Sequence, residues 1–202
     1  MRHVRQTLAV DRGDHGGARS EQAWLALFGR YAYLPGLPAA DRNDGVQGVS
    51  GSGYSGPVEM LAWARGVMAR SPDFVIGDNY LRRWWIIPRN TGCNIYLHEI
   101  NNSDDDRALH DHPWDNTSML IDGSYIEHTP DGSFVREAGS IVTRAATDAH
   151  RLEILEGGRA VSLFMTGPKL REWGFHCPKG WRLWSEFVDA RDTGQVGRGC
   201  AD

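Results

Sequence analysis

His110 and His112 stand one residue apart in RALHDHPWDNTSMLIDG (Arg107–Gly123), directly ahead of a run with strand-like composition. Residues two apart on a strand project from one face, so the two imidazoles point together and Asp111 points away. Side by side inside a fold, two imidazoles are costly unless their nitrogens find partners, and one divalent ion satisfies both. A metal site open to chemistry wants a third protein ligand and free positions for substrate. His150, at the start of HRLEIL, is the natural third. The competing reading is that these histidines are packed residues that happen to fall close in sequence.

Other residues could serve such a centre. His98, in NIYLHEI, lies on an expected strand; facing inward it would act as acid or base or orient a substrate, and facing outward it would be solvated. Tyr125 and His128 have opposite parity, so at most one of them faces in. Arg144 and Arg151 lie either side of His150 and could grip a substrate carboxylate bidentately, although a surface position is the default for both. His176 and Cys177 are adjacent, and adjacent strand residues point apart, so a packed loop is expected there rather than a catalytic pair. The acidic triplet Asp104–Asp106 is expected to be solvated.

The elements that must position these groups are mostly strands. From Tyr80 onward, short apolar and β-branched runs alternate with turn signals. The expected strands are 81–87, 93–100, 116–122, 124–129, 133–137, 140–145, 150–155 and 160–166, with a last one over 181–188. Asp122–Gly123 reads as a two-residue hairpin turn, which requires positive φ at both positions. LRRWWIIPRN alternates poorly, as a strand covered on both faces would. Trp84, Trp85, Trp114, Trp173, Trp181 and Trp184 lie in or beside this region and are expected to fill its interior, with some covering a dimer face. Many short strands without long helices between them predict an all-β barrel or jelly roll. Ahead of it, Trp24, Leu27, Phe28 and Tyr31 mark one short helix. A second begins at Pro57, with Met60, Leu61, Ala64, Val67 and Met68 on one side. DGVQGVSGSGYSG (Asp44–Gly56) reads as a flexible linker. The expected division is an N-terminal helical extension over 1–72, a barrel over 73–190 and a tail over 191–202.

Composition narrows the partners. The 202 residues carry a formal charge of −4 and show no basic face, so no nucleic-acid partner is expected. Three cysteines (Cys93, Cys177, Cys200) without paired spacing argue against a disulfide framework and for a reducing compartment. The N-terminal MRHVRQTLAVDRGDHGG lacks a signal peptide's apolar core, and no run is long enough to span a membrane. A cytoplasmic protein without membrane partners is the expectation.

By spacing, residues 80–188 resemble the cupin superfamily. Its first motif falls on Asp104, His110, His112, Asn116 and Gly123, and its second on Gly139, Ala145, Thr147, His150 and Ile154. All three histidines take motif positions. Asp104 replaces the first glycine and Asn116 the glutamate ligand; Ala145, Thr147 and Ile154 replace the proline, glycine and asparagine of the second motif. The resemblance implies a double-stranded β-helix (jelly-roll) barrel with a short helical N-terminal extension. It implies a divalent metal on His110, His112 and His150, a three-His set similar to that of cysteine dioxygenase-type cupins: Fe(II) foremost, with Zn, Mn or Ni as alternatives. Asn116 becomes a weak ligand or a substrate- or hydrogen-bonding group, Asp115 a carboxylate ligand if the register slips by one, and Tyr125 a tyrosine that assists oxygen chemistry. A neutral ligand set leaves the ion's full charge for the substrate to offset, favouring a small anionic chelating molecule, with O2 beside it. The implied activity is that of a dioxygenase, an oxidoreductase. The alternatives are a non-oxidative metal cupin (isomerase, lyase or hydrolase) or a non-enzymatic small-ligand binder, and small cupins often pair as homodimers.

Overall fold

The computed structural model describes residues 57–104, 108–192 and 194–201. The expected helix around Trp24–Tyr31 and the linker at 44–56 lie outside them. In chain order the elements are α1 (Pro57–Met68), β1 (Phe74–Ile76), β2 (Leu81–Trp85), β3 (Asn94–Ile100), β4 (Leu109–His110), β5 (Asn116–Thr129), β6 (Gly132–Glu137), β7 (Ile141–Arg144), β8 (Arg151–Glu153), β9 (Ala160–Thr166), β10 (Gly174–Cys177), β11 (Gly180–Leu183) and the single helical turn α2 (Trp184–Phe187). Every strand pair is antiparallel.

The large sheet runs β1-β2-β3-β9-β5-β6, with β7 and β8 also paired to β5; β11-β10-β4 form a second, smaller sheet. The late strand β9 sits between β3 and β5, so the chain returns to the middle of its own sheet, as a jelly roll requires. Alternation then decides what each face meets. On β2, β3 and β9, Trp84, Ile95, Leu97, Val161, Leu163 and Met165 point to one side. There they form a core with Trp63 and Ala64 of α1, and Met60, Leu61, Val67 and Met68 pack at its edge. The buried Trp84 indole N–H donates to the Arg70 carbonyl oxygen (3.0 Å). The opposite face of the same strands carries Arg83, His98, Ser162 and Phe164 into an interior cavity. With α1 outside and the cavity wall inside, all seven residues of β3 and of β9 are buried.

Several expectations are corrected. No hairpin forms at Asp122–Gly123; β5 runs straight through both expected strands as one 14-residue strand. Gly123 does adopt positive φ (+78°), but at a register shift between Leu120 and Asp122, where the strand passes from pairing β7 and β9 to pairing β6 and β8. A Cβ at Gly123 would lie 1.9 Å from the Arg159 carbonyl oxygen, so the glycine permits close backbone approach rather than a chain reversal. The expected last strand ends at Leu183 and becomes α2. β1, β4 and β10 were absent from the expected set because each is short and β4 spans only two residues. β2 alternates poorly, as expected, but it is not covered on both faces: Leu81 and Trp84 are buried while Arg82 and Trp85 are exposed. Cys177 and Cys200 form a disulfide across 23 residues, which corrects the expectation of unpaired thiols and removes that argument for a reducing, cytoplasmic setting. Among the described residues, no helix is long and apolar enough to cross a membrane.

Candidate metal centre

Backbone pairing brings the histidines together. His110 and His150 form a two-bond antiparallel bridge: each N–H donates to the other's carbonyl oxygen, at 2.8 and 2.9 Å. The His112 N–H donates to the Ala146 carbonyl oxygen (3.1 Å), and the Asp115 carboxylate accepts the Ala146 N–H (2.8 Å), closing the two motif loops on each other. Asp115 is exposed and serves that backbone contact, outside the histidine group. One ring nitrogen from each of His110, His112 and His150 lies within 4.8 Å of the others; among the described residues no carboxylate joins this group. The Nε2 atoms of His112 and His150 are 2.9 Å apart. Two bonds of about 2.1 Å at a right angle put cis ligand nitrogens about 3 Å apart, so the pair fits a common ion without rearrangement.

Buried carboxylates orient the rings from behind. Glu127 accepts from His150 Nδ1 (3.0 Å), from Arg144 Nε (2.8 Å) and Nη2, and from Arg136 Nε (2.8 Å). Its bond to Nδ1 leaves the His150 Nε2 lone pair facing the centre. Burial alone would raise the Glu127 pKa; the hydrogen bonds from His150 and Arg144 and their charges outweigh it and hold the carboxyl well below its usual range. Burial pushes His150 down to about 4 against the opposing Glu127 bond. Burial, then the charges of His110, His150, Arg144 and Arg83, lowers His112 well below the ordinary histidine value. Both rings are therefore neutral at neutral pH, the form a metal requires. Asp104 is no solvated loop residue: it is buried, accepts from the Tyr80 hydroxyl and the Leu152 N–H (2.6 Å), and stands 3.7 Å from His110 Nδ1. Asp105 and Asp106 lie outside the described residues. Asp111 points away from the cavity, as strand parity requires. There it accepts from Arg171 Nη1, the Gly174 N–H, Trp181 Nε1 and His176 Nε2 at 2.7–3.2 Å, pinning β4 to the small sheet.

The imidazoles open onto a cavity of about 1030 Å³ whose lining includes His98, Tyr125 and Arg144. His98 is buried, accepts from Arg83 Nε at Nε2 (2.8 Å) and stacks on Phe164; burial and then the Arg83 charge lower its pKa well below 6.5. Tyr125 is the inward member of the Tyr125/His128 pair, its phenol pushed up by burial, while His128 bonds Glu153 and Ser133. Arg144 is buried rather than superficial, with its guanidinium engaged by Glu127. Arg151 also reaches the cavity. Asn116 is buried at the start of β5, and its Oδ1 has no hydrogen-bond partner; the cavity lining does not include it. His176 and Cys177 form no pair, since Cys177 is bound to Cys200 and His176 to Asp111. Glu127 and Arg83 were not foreseen. Counting i+2 from Tyr125 reaches Glu127, whereas nothing in LRRWW distinguishes Arg83 from Arg82.

No protein-family model matches the sequence, and no curated protein matches it either. Some solved structures are similar to about half of the chain. An RmlC-like cupin protein of Ralstonia eutropha JMP134 is 19% identical, covers 56% of this chain and 69% of its own, and has a TM-score of 0.42. The Streptomyces nucleoside dehydratase Pac13 is 6% identical over 50% of this chain and 81% of its own (TM-score 0.41). The polyketide cyclase RemF of Streptomyces resistomycificus is 17% identical over 48% of this chain and 69% of its own (TM-score 0.39). With TM-scores below 0.5, these likenesses leave both fold and reaction to the chain's own structure.

Proposed function

We propose that this chain is a metal-dependent cupin enzyme in which His110, His112 and His150 hold one divalent ion, Fe(II) foremost, and that it acts as a dioxygenase on a small anionic chelating substrate in the cavity. The observation that carries the reading is the convergence of three imidazoles at the cavity wall, with Glu127 holding His150 by its far nitrogen. Bound there, the ion would act as Lewis acid and meeting point for substrate and O2. The chain's own contributions are positional. The His110–His150 backbone bridge sets the ligand spacing and Glu127 fixes one tautomer. Tyr125 and His98 are the groups on that wall able to place a proton or a hydrogen bond at a bound substrate.

A non-oxidative reaction is the second reading, favoured by that same pair of proton-handling side chains on the wall. Elemental analysis of the purified protein beside His110→Ala, His112→Ala and His150→Ala tests the assignment. Near-stoichiometric iron in the parent that is lost in each variant is the expected result, to be followed by O2-uptake assays. Stoichiometric zinc, manganese or nickel without O2 uptake would move the assignment to isomerase, lyase or hydrolase chemistry. Full metal content in two of the three variants, or no metal after reconstitution, would overturn the site and leave a ligand-binding module.

A further inference from the structure

Arg83 and Arg151 both line the cavity, and of the two it is Arg83 whose contacts on the cavity wall are defined. Arg144, the buried arginine on the cavity wall, is spent on Glu127, whereas among the described residues no carboxylate pairs with the half-buried Arg83. Its Nε donates to the neutral His98, its guanidinium lies 4.8 Å from the Tyr96 ring centre, and its remaining N–H groups belong to a side chain that lines the cavity. Partly withdrawing a guanidinium from water with only an imidazole and a phenol ring beside it is unfavourable, and an anion entering the cavity is the partner that would offset it. The path from Arg83 to the histidines is aromatic. The Phe164 ring is 5.0 Å from the His98 ring and 5.9 Å from the His112 ring, and Trp114 stacks on His112 at 5.2 Å. Trp173 meets His110 edge-on at 6.3 Å.

The geometry points to Arg83 as the anchor for the carboxylate of a flat, aromatic substrate whose ring lies along Phe164 and Trp114 and whose far end reaches the three histidines. His98 is the positioning residue that aims the guanidinium by accepting from its Nε. A carboxylate fits better than a phosphate, because a single guanidinium beside a neutral ring matches one negative charge and a two-pronged acceptor. The inference rests on the cavity being the substrate site proposed above, but it does not depend on which ion is bound.

Benzoate, benzamide and cyclohexanecarboxylate, titrated against the metal-loaded and the metal-stripped protein by calorimetry, test it, with metal content measured on the same samples. Benzoate is expected to bind at least tenfold more tightly than either analogue. Arg83→Gln is expected to lose at least tenfold of benzoate affinity in both metal states, Arg83→Lys to retain part of it, and both to keep the metal content of the parent. Equal binding of benzoate and benzamide by the unmodified protein would overturn the carboxylate anchor without recourse to any variant. Equal binding of cyclohexanecarboxylate would overturn the aromatic half. Loss of metal from the histidine site with the Arg83 effect intact would count against the proposed function alone.

Discussion

At the scale of single residues, the candidate site depends on groups other than the three histidines themselves. Glu127 orients His150 and is itself held by two arginines, so Glu127→Gln should weaken metal affinity by about 10- to 100-fold. Chelator-competition titration measures this, and an unchanged affinity would mean the ring is held by packing alone. His98 makes a second prediction. Its pKa in the fold lies well below 6.5, so as pH falls the unfolded chain takes up its proton first. The His98 contribution is complete above about pH 6.5 and declines below it, by up to roughly 1 kcal/mol per pH unit. His98→Gln keeps an acceptor for Arg83 without a titrating ring and should show a shallower loss of melting temperature between pH 7 and pH 5. Parallel curves for the two proteins would remove His98 from the account. The pairing of His110 with His112 was legible in the sequence because i and i+2 parity is a local rule, and His150 joined them through motif spacing. The partners behind them were not, since Glu127 and Asp104 gain their meaning only from strands that are distant in sequence.

At the scale of elements, β5 shows where local rules fail. Its buried residues are Asn116, Ser118 and Leu120, then Ile121 at the irregularity, then Tyr125 and Glu127, so the buried parity passes from even to odd across it. Aspartate followed by glycine signals positive φ, and a hairpin turn and a strand bend both use it; only the approach of Arg159 decides between them. Most of the remaining strand pattern was readable because apolar alternation survives wherever both faces are covered. Two-residue β4 carries no such pattern. Gly123→Ala should destabilise the protein by about 3 kcal/mol or more, combining backbone strain with a backbone clash. Gly157 shares a positive φ (+71°) but meets nothing within 4 Å, so Gly157→Ala should cost only the conformational part, roughly 1–2 kcal/mol. Urea denaturation of both variants checks the difference, and equal losses would show that close approach at Gly123 is unimportant.

At the scale of the whole molecule, the all-β architecture followed from strand spacing and turn residues, but the closure of the layers did not. The place of β9 between β3 and β5, and the disulfide joining β10 to a tail 23 residues on, are long-range facts without a local signature. The packing of α1 against Trp84 and Leu97 was foreshadowed by one apolar side of the helix, although Trp63, one of its two buried members, fell outside the face read from the sequence. β5 pairs with β6, β7, β8 and β9, so no part of the sheet that includes it can detach by itself. Fraying is left to the exposed strand β6. Hydrogen exchange should therefore find the β5 amides near Ser118 and Glu127 opening only with the entire protein, while the far end of β6 exchanges through local excursions. The groups that hold the histidines in line belong to the last part of the molecule to let go.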